Sequence, residues 1–185
     1  MINSTNIILR PLKKDDLILI NSWRNNLENR ILTQGFRGLV TMVVDACWLD
    51  EVLNNQDNKD FYFGIETKET GKLTGIIQLN AIDYISGVAT CGILIGEPEE
   101  RGKGIGIEAV RGLLFYAFFV LNIRKIITYI VDFNESAFKV QRKVGKVHRE
   151  GCLKAHYYYK GEYVDVYIQS FFKKDFEYLK DEYSI

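Results

Sequence analysis

The stretch Arg101-Gly102-Lys103-Gly104-Ile105-Gly106 decides the fold, because it joins a strand pattern to a helix pattern. The run before it, Ala89–Gly96, is typical of a strand, and the run after it, Ile107–Leu121, is typical of an apolar helix. Alternating glycines let successive backbone N–H groups point the same way, and the helix dipole adds a positive field. With the charges of Arg101 and Lys103, the stretch predicts a cradle for a pyrophosphate group. A glycine-rich turn without a ligand is the alternative interpretation of the motif alone.

The spacing of the glycines excludes two common phosphate-binding motifs. A P-loop has Gly-x-x-x-x-Gly-Lys followed by Ser or Thr, whereas Lys103 is followed by Gly104. A dinucleotide-binding fingerprint has Gly-x-Gly-x-x-Gly after an early first strand. Here the glycines stand at positions 102, 104 and 106, past the middle of the chain. The pattern that remains is Arg-x-x-Gly-x-Gly.

The composition predicts one globular domain with a full core. The chain has 185 residues, of which 47% are hydrophobic, and it has only two prolines and no low-complexity linker. Lysine plus arginine equals aspartate plus glutamate at 24 each, which argues against a broad nucleic-acid-binding surface. The three cysteines are widely separated, and this usage is typical of free thiols in a reducing compartment.

The chain shows no sign of a targeting or membrane-spanning segment. Its first residues, Met1–Thr5, lack the basic and apolar regions of a signal peptide. The most apolar run, Gly112–Leu121, is too short to cross a bilayer, and its apolar side chains surround most of the helix. We therefore expect a cytoplasmic protein, with this helix buried on several sides.

The segments that follow the glycine motif resemble a known family core. Arg124–Val131 is typical of a buried strand, Asp132–Ala137 opens a second helix, and Gly145 is typical of a left-handed helix cap. In this order, residues 85–146 resemble the core of the GNAT superfamily of N-acetyltransferases. The opening Ile8–Leu12 and the late run Gly161–Val166 resemble the branch that contains ribosomal-protein N-terminal, polyamine and amino-sugar acetyltransferases.

The element pattern and this resemblance predict the same fold. Antiparallel hairpins followed by one strand–helix–strand crossover indicate a mixed α/β domain with helices on both faces of the sheet. We expect a single N-acetyltransferase domain over residues 1–185, with a mostly antiparallel sheet of about seven strands. The cofactor core then lies in residues 85–146, and the acceptor side is formed by residues 12–55 and 147–172.

The resemblance implies a cosubstrate and the residues that bind it. Family members bind acetyl-CoA, whose pyrophosphate would contact the glycine motif and whose pantetheine arm would pair with a strand that splays from its neighbour. The residues carried over to this sequence are Ile93, Leu94, Ile95, Arg101, Gly102, Lys103, Gly104, Ile105, Gly106 and Asn134. Asn134 is also a favoured helix N-cap, and both roles stay open. No metal is implied.

The catalytic groups are less clear from the sequence. An amine with a pKa of about 10.4 must lose a proton before it attacks a thioester. Many relatives carry a glutamate where this chain has Thr90, and others carry a tyrosine where it has Gln141. The remaining candidates for an acid or base are Glu97, Tyr84 and His156. Each also has a structural interpretation, as a solvated carboxylate or as part of an aromatic stripe.

The acceptor is expected between the N-terminal helices and the closing hairpin. The resemblance places Trp23, Arg24 and Asn25 on that side, and packing in the core is the alternative role of Trp23. Uncharged amides and an arginine favour a primary amine of a small molecule, such as an amino sugar or sugar nucleotide. Two alternatives are a protein N-terminal acetyltransferase and an inactive CoA-binding regulatory module. We expect no nucleic-acid or membrane partner, and a homodimer as the assembly.

Overall fold

The structure, a computed structural model, describes residues 1–35, 38–55 and 58–183. Its strands are β1 (Ile2–Asn3), β2 (Ile7–Pro11), β3 (Phe61–Thr67), β4 (Leu73–Asp83), β5 (Val88–Ile95), β6 (Lys125–Val131), β7 (His148–Tyr159) and β8 (Glu162–Phe172). Its α-helices are α1 (Leu17–Asn25), α2 (Leu27–Leu32), α3 (Met42–Asn54), α4 (Ile105–Phe115), α5 (Glu135–Val144) and α6 (Leu179–Glu182). The segments Gln34–Val40 and Asn54–Asp60, whose glycines or polar residues predict loops, include residues 36–37 and 56–57, which lie outside the described residues.

The strands form one mixed sheet in the order β1-β2-β3-β4-β5-β6-β8-β7. Every neighbouring pair is antiparallel except β5 and β6, which are parallel. This confirms the predicted fold class, with eight strands in place of about seven. The additional strand is β1, whose two residues are too few to show an alternating pattern.

Two clusters of buried apolar side chains lie on opposite faces of the sheet. The larger cluster contains α4, whose Ala109, Leu113 and Leu114 are fully buried, as the apolar pattern predicted. The smaller cluster is centred on α1 and α3. Neighbouring residues of β5 alternate between them, since Ile93 contacts the larger cluster and Leu94 the smaller. The sheet therefore carries helices on both faces.

No helix in the described part of the chain combines the length and the apolar content that a membrane crossing requires. The largely buried helix α4 continues into one π-helical turn at Tyr116–Val120 and then ends.

Gly145 ends α5, as predicted, but in a different conformation. Its φ is 159°, which is close to extended and not left-handed. A Cβ at this position would lie only 2.7 Å from the ring of Phe176. Close packing of that ring against the backbone, and not a left-handed turn, therefore requires the glycine.

The parallel pair β5–β6 separates along its length. Three residue pairs join the strands, at Val88↔Lys125, Ala89↔Ile126 and Thr90↔Ile127. Beyond Thr90, β5 remains paired with β4 as far as Ile95 but is no longer paired with β6. The resulting gap leaves the β6-facing edge of the last residues of β5 open.

Candidate active site

A cavity of about 580 Å³ fills the gap between β5 and β6 and extends to the first turn of α4 and one side of α5. We call this cavity the groove. Eight of the ten predicted cofactor-binding residues line it, namely Ile93, Leu94, Ile95, Arg101, Gly102, Gly104, Gly106 and Asn134. Lys103 and Ile105 do not: Lys103 forms an ion pair with Glu100 at 3.2 Å, and Ile105 is 5% exposed in the core. The alternation of the motif explains this outcome, because the two side chains flank the turn and its glycines face the groove.

The glycine turn presents its backbone to the groove. Gly102 and Gly104 have φ values of 78° and 89°, a left-handed conformation that favours glycine. No heavy atom lies within 4 Å of a Cβ built at either position. Among the described residues, the N–H groups of residues 102–106 have no hydrogen-bond acceptor, whereas the Ile107 N–H donates to the Gly104 carbonyl at 2.9 Å. Five consecutive donors at the N-terminus of α4 are therefore left without a partner among the described residues.

Arg101 lines the groove, but its guanidinium already has protein partners. Its Nε donates to the Ile95 carbonyl at 3.2 Å, and its Nη2 donates to Asn29 Oδ1 at 2.7 Å. Its Nη1 lies 3.3 Å from a carboxylate oxygen of Glu28. Arg101 thus fixes the glycine turn against the end of β5 and against α2.

Asn134 has the structural role that its position predicted. Its side-chain oxygen accepts a hydrogen bond from the Ala137 N–H at 3.1 Å and caps α5. Its amide nitrogen donates to the Leu32 carbonyl at 3.2 Å. Because Asn134 also lines the groove, the cap joins α2 and α5 on one side of the cavity.

A second cavity of about 360 Å³ adjoins the groove. We call it the acceptor cavity. Cys91, Gly92 and Tyr129 line both cavities and mark their junction. The other residues that line the acceptor cavity are Thr33, Gln34, Gln78, Asn80, Thr90, Leu153, His156 and Val166. The described lining contains seven polar side chains and no carboxylate.

A bulge in β7 brings His156 to the acceptor cavity. Leu153 pairs with Val166 and Tyr157 pairs with Val164, so three residues of β7 face the single residue Asp165 of β8. Asp165 Oδ1 accepts the Ala155 N–H at 3.0 Å. The regular alternation of side chains along a strand is therefore interrupted just before Tyr157.

Three side chains near the junction differ in what they can do chemically. Thr90 donates to the Asn80 carbonyl at 3.1 Å and has no basic group. Burial raises the pKa of the Cys91 thiol to about 12, so the thiol is neutral near neutral pH. Gln141 lines the groove, where its amide donates to Thr128 Oγ1 at 2.6 Å.

The residues predicted to contact the acceptor lie outside both cavities. Trp23 is 4% exposed in the smaller apolar cluster, and its indole donates to Glu97 Oε1 at 2.8 Å. Arg24 is ion-paired with the fully buried Asp45. Asn25 exchanges two hydrogen bonds with the Val40 backbone, each of 2.8 Å. All three side chains hold the N-terminal helices together.

The three residues predicted as a possible acid or base also differ in whether they line one of the two cavities. Glu97 is occupied by Trp23 and does not line either cavity. Tyr84 lies in the β4–β5 turn, where its hydroxyl donates to the Asn58 carbonyl at 2.8 Å. His156 alone of the three lines a cavity.

Several other residues of the acceptor cavity had little signal in the sequence. Tyr129 lies in a β-branched run that predicted burial, yet it is 47% exposed and lines both cavities. Gln78 and Asn80 are polar positions of β4, two residues apart, and therefore share one face of the strand. That spacing is the signal that could have indicated a polar cavity. Within the described residues, no group of three or more His, Cys, Asp or Glu side chains could hold a metal ion.

Comparison with known proteins identifies the family. A family model described as an acetyltransferase (GNAT) domain matches residues 6–147. Spermidine N(1)-acetyltransferase from Vibrio cholerae is 30% identical over 165 residues, which cover 88% of this chain and 91% of the relative. The crystal structure of spermidine N-acetyltransferase from Vibrio cholerae with CoA and spermine has a TM-score of 0.84 at 25% identity and covers 92% of this chain and 98% of that chain. A dodecameric structure of a Vibrio cholerae spermidine N-acetyltransferase has a TM-score of 0.76 at 26% identity and covers 93% and 96%.

The order of the sheet, the separation of β5 from β6 and the glycine turn at α4 thus agree with the match over residues 6–147. The chain belongs to the GNAT family of acetyltransferases, and it is an N-acetyltransferase whose cosubstrate is acetyl-CoA.

Proposed function

We propose that this enzyme transfers the acetyl group of acetyl-CoA, bound in the groove, directly to a primary amine held in the acceptor cavity. The observation that carries the proposal is the junction of the two cavities at Cys91, Gly92 and Tyr129. A thioester at this junction can be reached from the acceptor cavity without leaving the protein. Holding both reactants in such a geometry supplies a large part of the rate acceleration in many enzymes.

The groove offers complementary groups along the length of the cosubstrate. The unpaired N–H groups of residues 102–106 are donors for the pyrophosphate, and the field of α4 adds to them. The open edge of Ile93–Ile95 can pair with the amides of the pantetheine arm, as an additional strand would. Lys139 and Lys143 of α5 line the groove and supply positive charge for the remaining phosphate.

His156 is the base that we assign to the acceptor amine. Among the titratable side chains that line the acceptor cavity, Cys91 is neutral, and histidine is the residue type that most often accepts protons near neutral pH. The imidazole takes a proton from the ammonium group, directly or through water, and the free amine attacks the thioester carbonyl. The C–S bond then breaks, and the thiolate takes up a proton to leave as CoA.

Replacement of the histidine tests this assignment. His156→Gln should lower kcat/KM at pH 7 by about a hundredfold, within the range for loss of a general base. The deficit should shrink toward pH 10, where the acceptor amine is itself increasingly deprotonated. Tyr84→Phe, which alters a side chain outside both cavities, is the control and should change little. A deficit that is the same at every pH would refute the assignment.

The charge of the acceptor cavity favours an acceptor that bears hydroxyl groups and a single ammonium group. Its described lining offers amide, hydroxyl and imidazole groups and no carboxylate. An amino sugar or a sugar nucleotide matches these groups, because each of its hydroxyls can donate to and accept from amides. A polyamine would bring one or more additional ammonium groups into a cavity with no charge to pair them.

Spermidine is the second candidate acceptor, because the relative that is 30% identical is named for that substrate. The two candidates are separated by a thiol-release assay with acetyl-CoA and a panel of an amino sugar, spermidine and a short peptide. We expect the highest kcat/KM with the amino sugar. Turnover of the peptide alone would instead indicate a protein N-terminal acetyltransferase.

A single charge tests the electrostatic argument directly. Gln78→Glu adds a carboxylate to the acceptor cavity at nearly constant volume. It should raise kcat/KM for spermidine by about tenfold, since a charge pair near a protein surface contributes on the order of 1–4 kcal/mol. Asn54→Asp, an exposed change at the end of α3, adds the same charge elsewhere and should leave both acceptors unaffected. An equal response to both variants would contradict the argument.

The assembly remains a separate proposal. A relative is described as dodecameric, and we propose a homo-oligomer with a dimer as its smallest unit. Sedimentation velocity at several concentrations tests this, and a monomer at all of them would refute it.

A further inference from the structure

Gln141 combines deep burial with an unused hydrogen-bond acceptor. It lies on α5, is 7% exposed and lines the groove. Its amide nitrogen donates to Thr128 Oγ1 at 2.6 Å. Its carbonyl oxygen Oε1 is buried and has no hydrogen-bond partner among the described residues. Buried polar atoms are nearly always satisfied, so this oxygen requires an explanation.

The orientation of the amide follows from its neighbour. The Thr128 hydroxyl lies 3.4 Å from the Gln169 carbonyl, an atom that can only accept. A hydroxyl that donates to that carbonyl must accept from Gln141, which requires the NH₂ group on the side of Thr128. The oxygen is therefore the atom that is left without a partner.

The place of Gln141 along the groove indicates which part of the cosubstrate lies near it. The last residue pair between β5 and β6 is Thr90↔Ile127, so Thr128 is the first residue of β6 beyond the pairing. Gln141, bonded to Thr128, thus lies where the strands begin to separate. The glycine turn at residues 102–106 lies at the other end of β5, beyond Ile95. A cosubstrate molecule whose pyrophosphate is bound at that turn therefore has its sulfur end near Gln141.

We propose that Gln141 Oε1 accepts a hydrogen bond from the sulfur end of the bound cosubstrate. Two groups there can donate: the S–H of the product CoA, and the amide N–H that both CoA and acetyl-CoA carry close to the sulfur. The amide of Gln141 does not act as an acid in this role. It positions the arm, and it favours the protonated thiol over the thiolate, because an acceptor oxygen repels a negative charge.

The inference depends on the groove as the cosubstrate site and not on the identity of the acceptor amine. Gln141→Met removes the oxygen at similar volume, and Arg142→Met, at the exposed next position of the same helix, is the matched control. Calorimetric titration of each protein with CoA and with acetyl-CoA gives the dissociation constants. We expect Gln141→Met to weaken CoA binding by about tenfold, a loss equal to about one hydrogen bond. Arg142→Met should change the affinity for CoA by less than twofold.

The two ligands distinguish the donors. If Gln141→Met loses affinity for CoA alone, the donor is the thiol. If it loses affinity equally for CoA and acetyl-CoA, the donor is the amide N–H. An affinity for both ligands within twofold of the unaltered protein overturns the proposal, and so does an equal loss in Arg142→Met.

A second variant keeps the test decisive if Gln141→Met does not fold. Thr128→Val removes the hydroxyl that orients the amide and should weaken CoA binding in the same direction. Unchanged affinity in that variant also overturns the proposal. If Gly104→Ala also leaves CoA binding unaffected, the groove itself is not the cosubstrate site. If Gly104→Ala weakens CoA binding and the variants of Gln141 and Thr128 do not, only the proposal for Gln141 fails.

Discussion

Replacement of Gly104 by alanine tests the assignment of the cosubstrate site with one methyl group. Gly104 lines the groove with a φ of 89°, and no heavy atom lies within 4 Å of a Cβ built there. Gly161, in the β7–β8 turn, has a φ of 91° and an equally open surrounding, but it is far from the groove along the sheet. The two positions therefore have similar left-handed φ values and open surroundings, and Gly104 alone of the two lines the groove.

The expected loss of stability is the same for the two variants. An L-residue in the left-handed region costs about 1–2 kcal/mol, and neither added Cβ meets a neighbouring atom. For a chain of this size, 1 kcal/mol corresponds to a Tm shift of about 2–4 °C. We expect both Gly104→Ala and Gly161→Ala to lower the Tm by roughly 2–8 °C in a thermal melt without ligand.

The affinity for CoA should distinguish them. The methyl group at residue 104 would displace the pyrophosphate from at least one N–H donor, and a hydrogen bond to a charged group contributes about 1.5–3 kcal/mol. That corresponds to a dissociation constant raised by roughly tenfold to a hundredfold in calorimetry at 25 °C. Gly161→Ala should bind CoA as the unaltered protein does. Gly104→Glu, which also adds a negative charge, should abolish binding. Equal CoA affinity in the two alanine variants would refute the assignment.

Three further predictions concern single side chains. Thr90→Ala should keep kcat within about tenfold, because a hydroxyl cannot serve as the base, and a collapse of turnover in the folded variant would contradict this. Cys91→Ala should also stay active, because a neutral thiol does not form an acetyl-cysteine intermediate; trapping of acetylated Cys91 by mass spectrometry would refute direct transfer. Burial raises the pKa of the Asp175 carboxyl, but hydrogen bonds from His148 and Lys146 outweigh it and hold that pKa below its usual value. The stabilisation by the ionised Asp175 carboxyl is fully present above about pH 4 and is lost as the pH falls through the lowered pKa. The difference in Tm between the unaltered protein and Asp175→Asn should therefore close in acid and not in base.

The fold was largely predictable because its signals are local. Alternating apolar residues and turn residues marked the strands, and the glycine turn marked the crossover between β5 and β6. The separation of these two strands followed from the resemblance to the family, and the register confirms that pairing ends at Thr90. What local signals could not show was β1, whose two residues form a strand only because Leu9 and Ile8 lie opposite them.

The acceptor side was less predictable because its contacts join distant parts of the chain. Trp23 lies against Gly96 and donates to Glu97, and no periodicity in α1 indicates that partner. Its neighbours on α1 are likewise held by Asp45 and by Val40. These long-range partners give the three side chains structural roles that no local pattern indicates. The β7 bulge has the same origin, since Asp165 stabilises it from the facing strand.

The lining of the acceptor cavity explains why this chain can lack a glutamate that many relatives carry at the position of Thr90. Thr90 and His156 line the same acceptor cavity from different strands, β5 and the bulged β7. A base needs only to reach the amine, so the strand from which it projects does not matter to the chemistry. Thr90 in place of a carboxylate also removes a negative charge from the cavity, which disfavours a polycationic acceptor. The same residue therefore supports both proposals, a base at His156 and an acceptor that carries less positive charge than a polyamine.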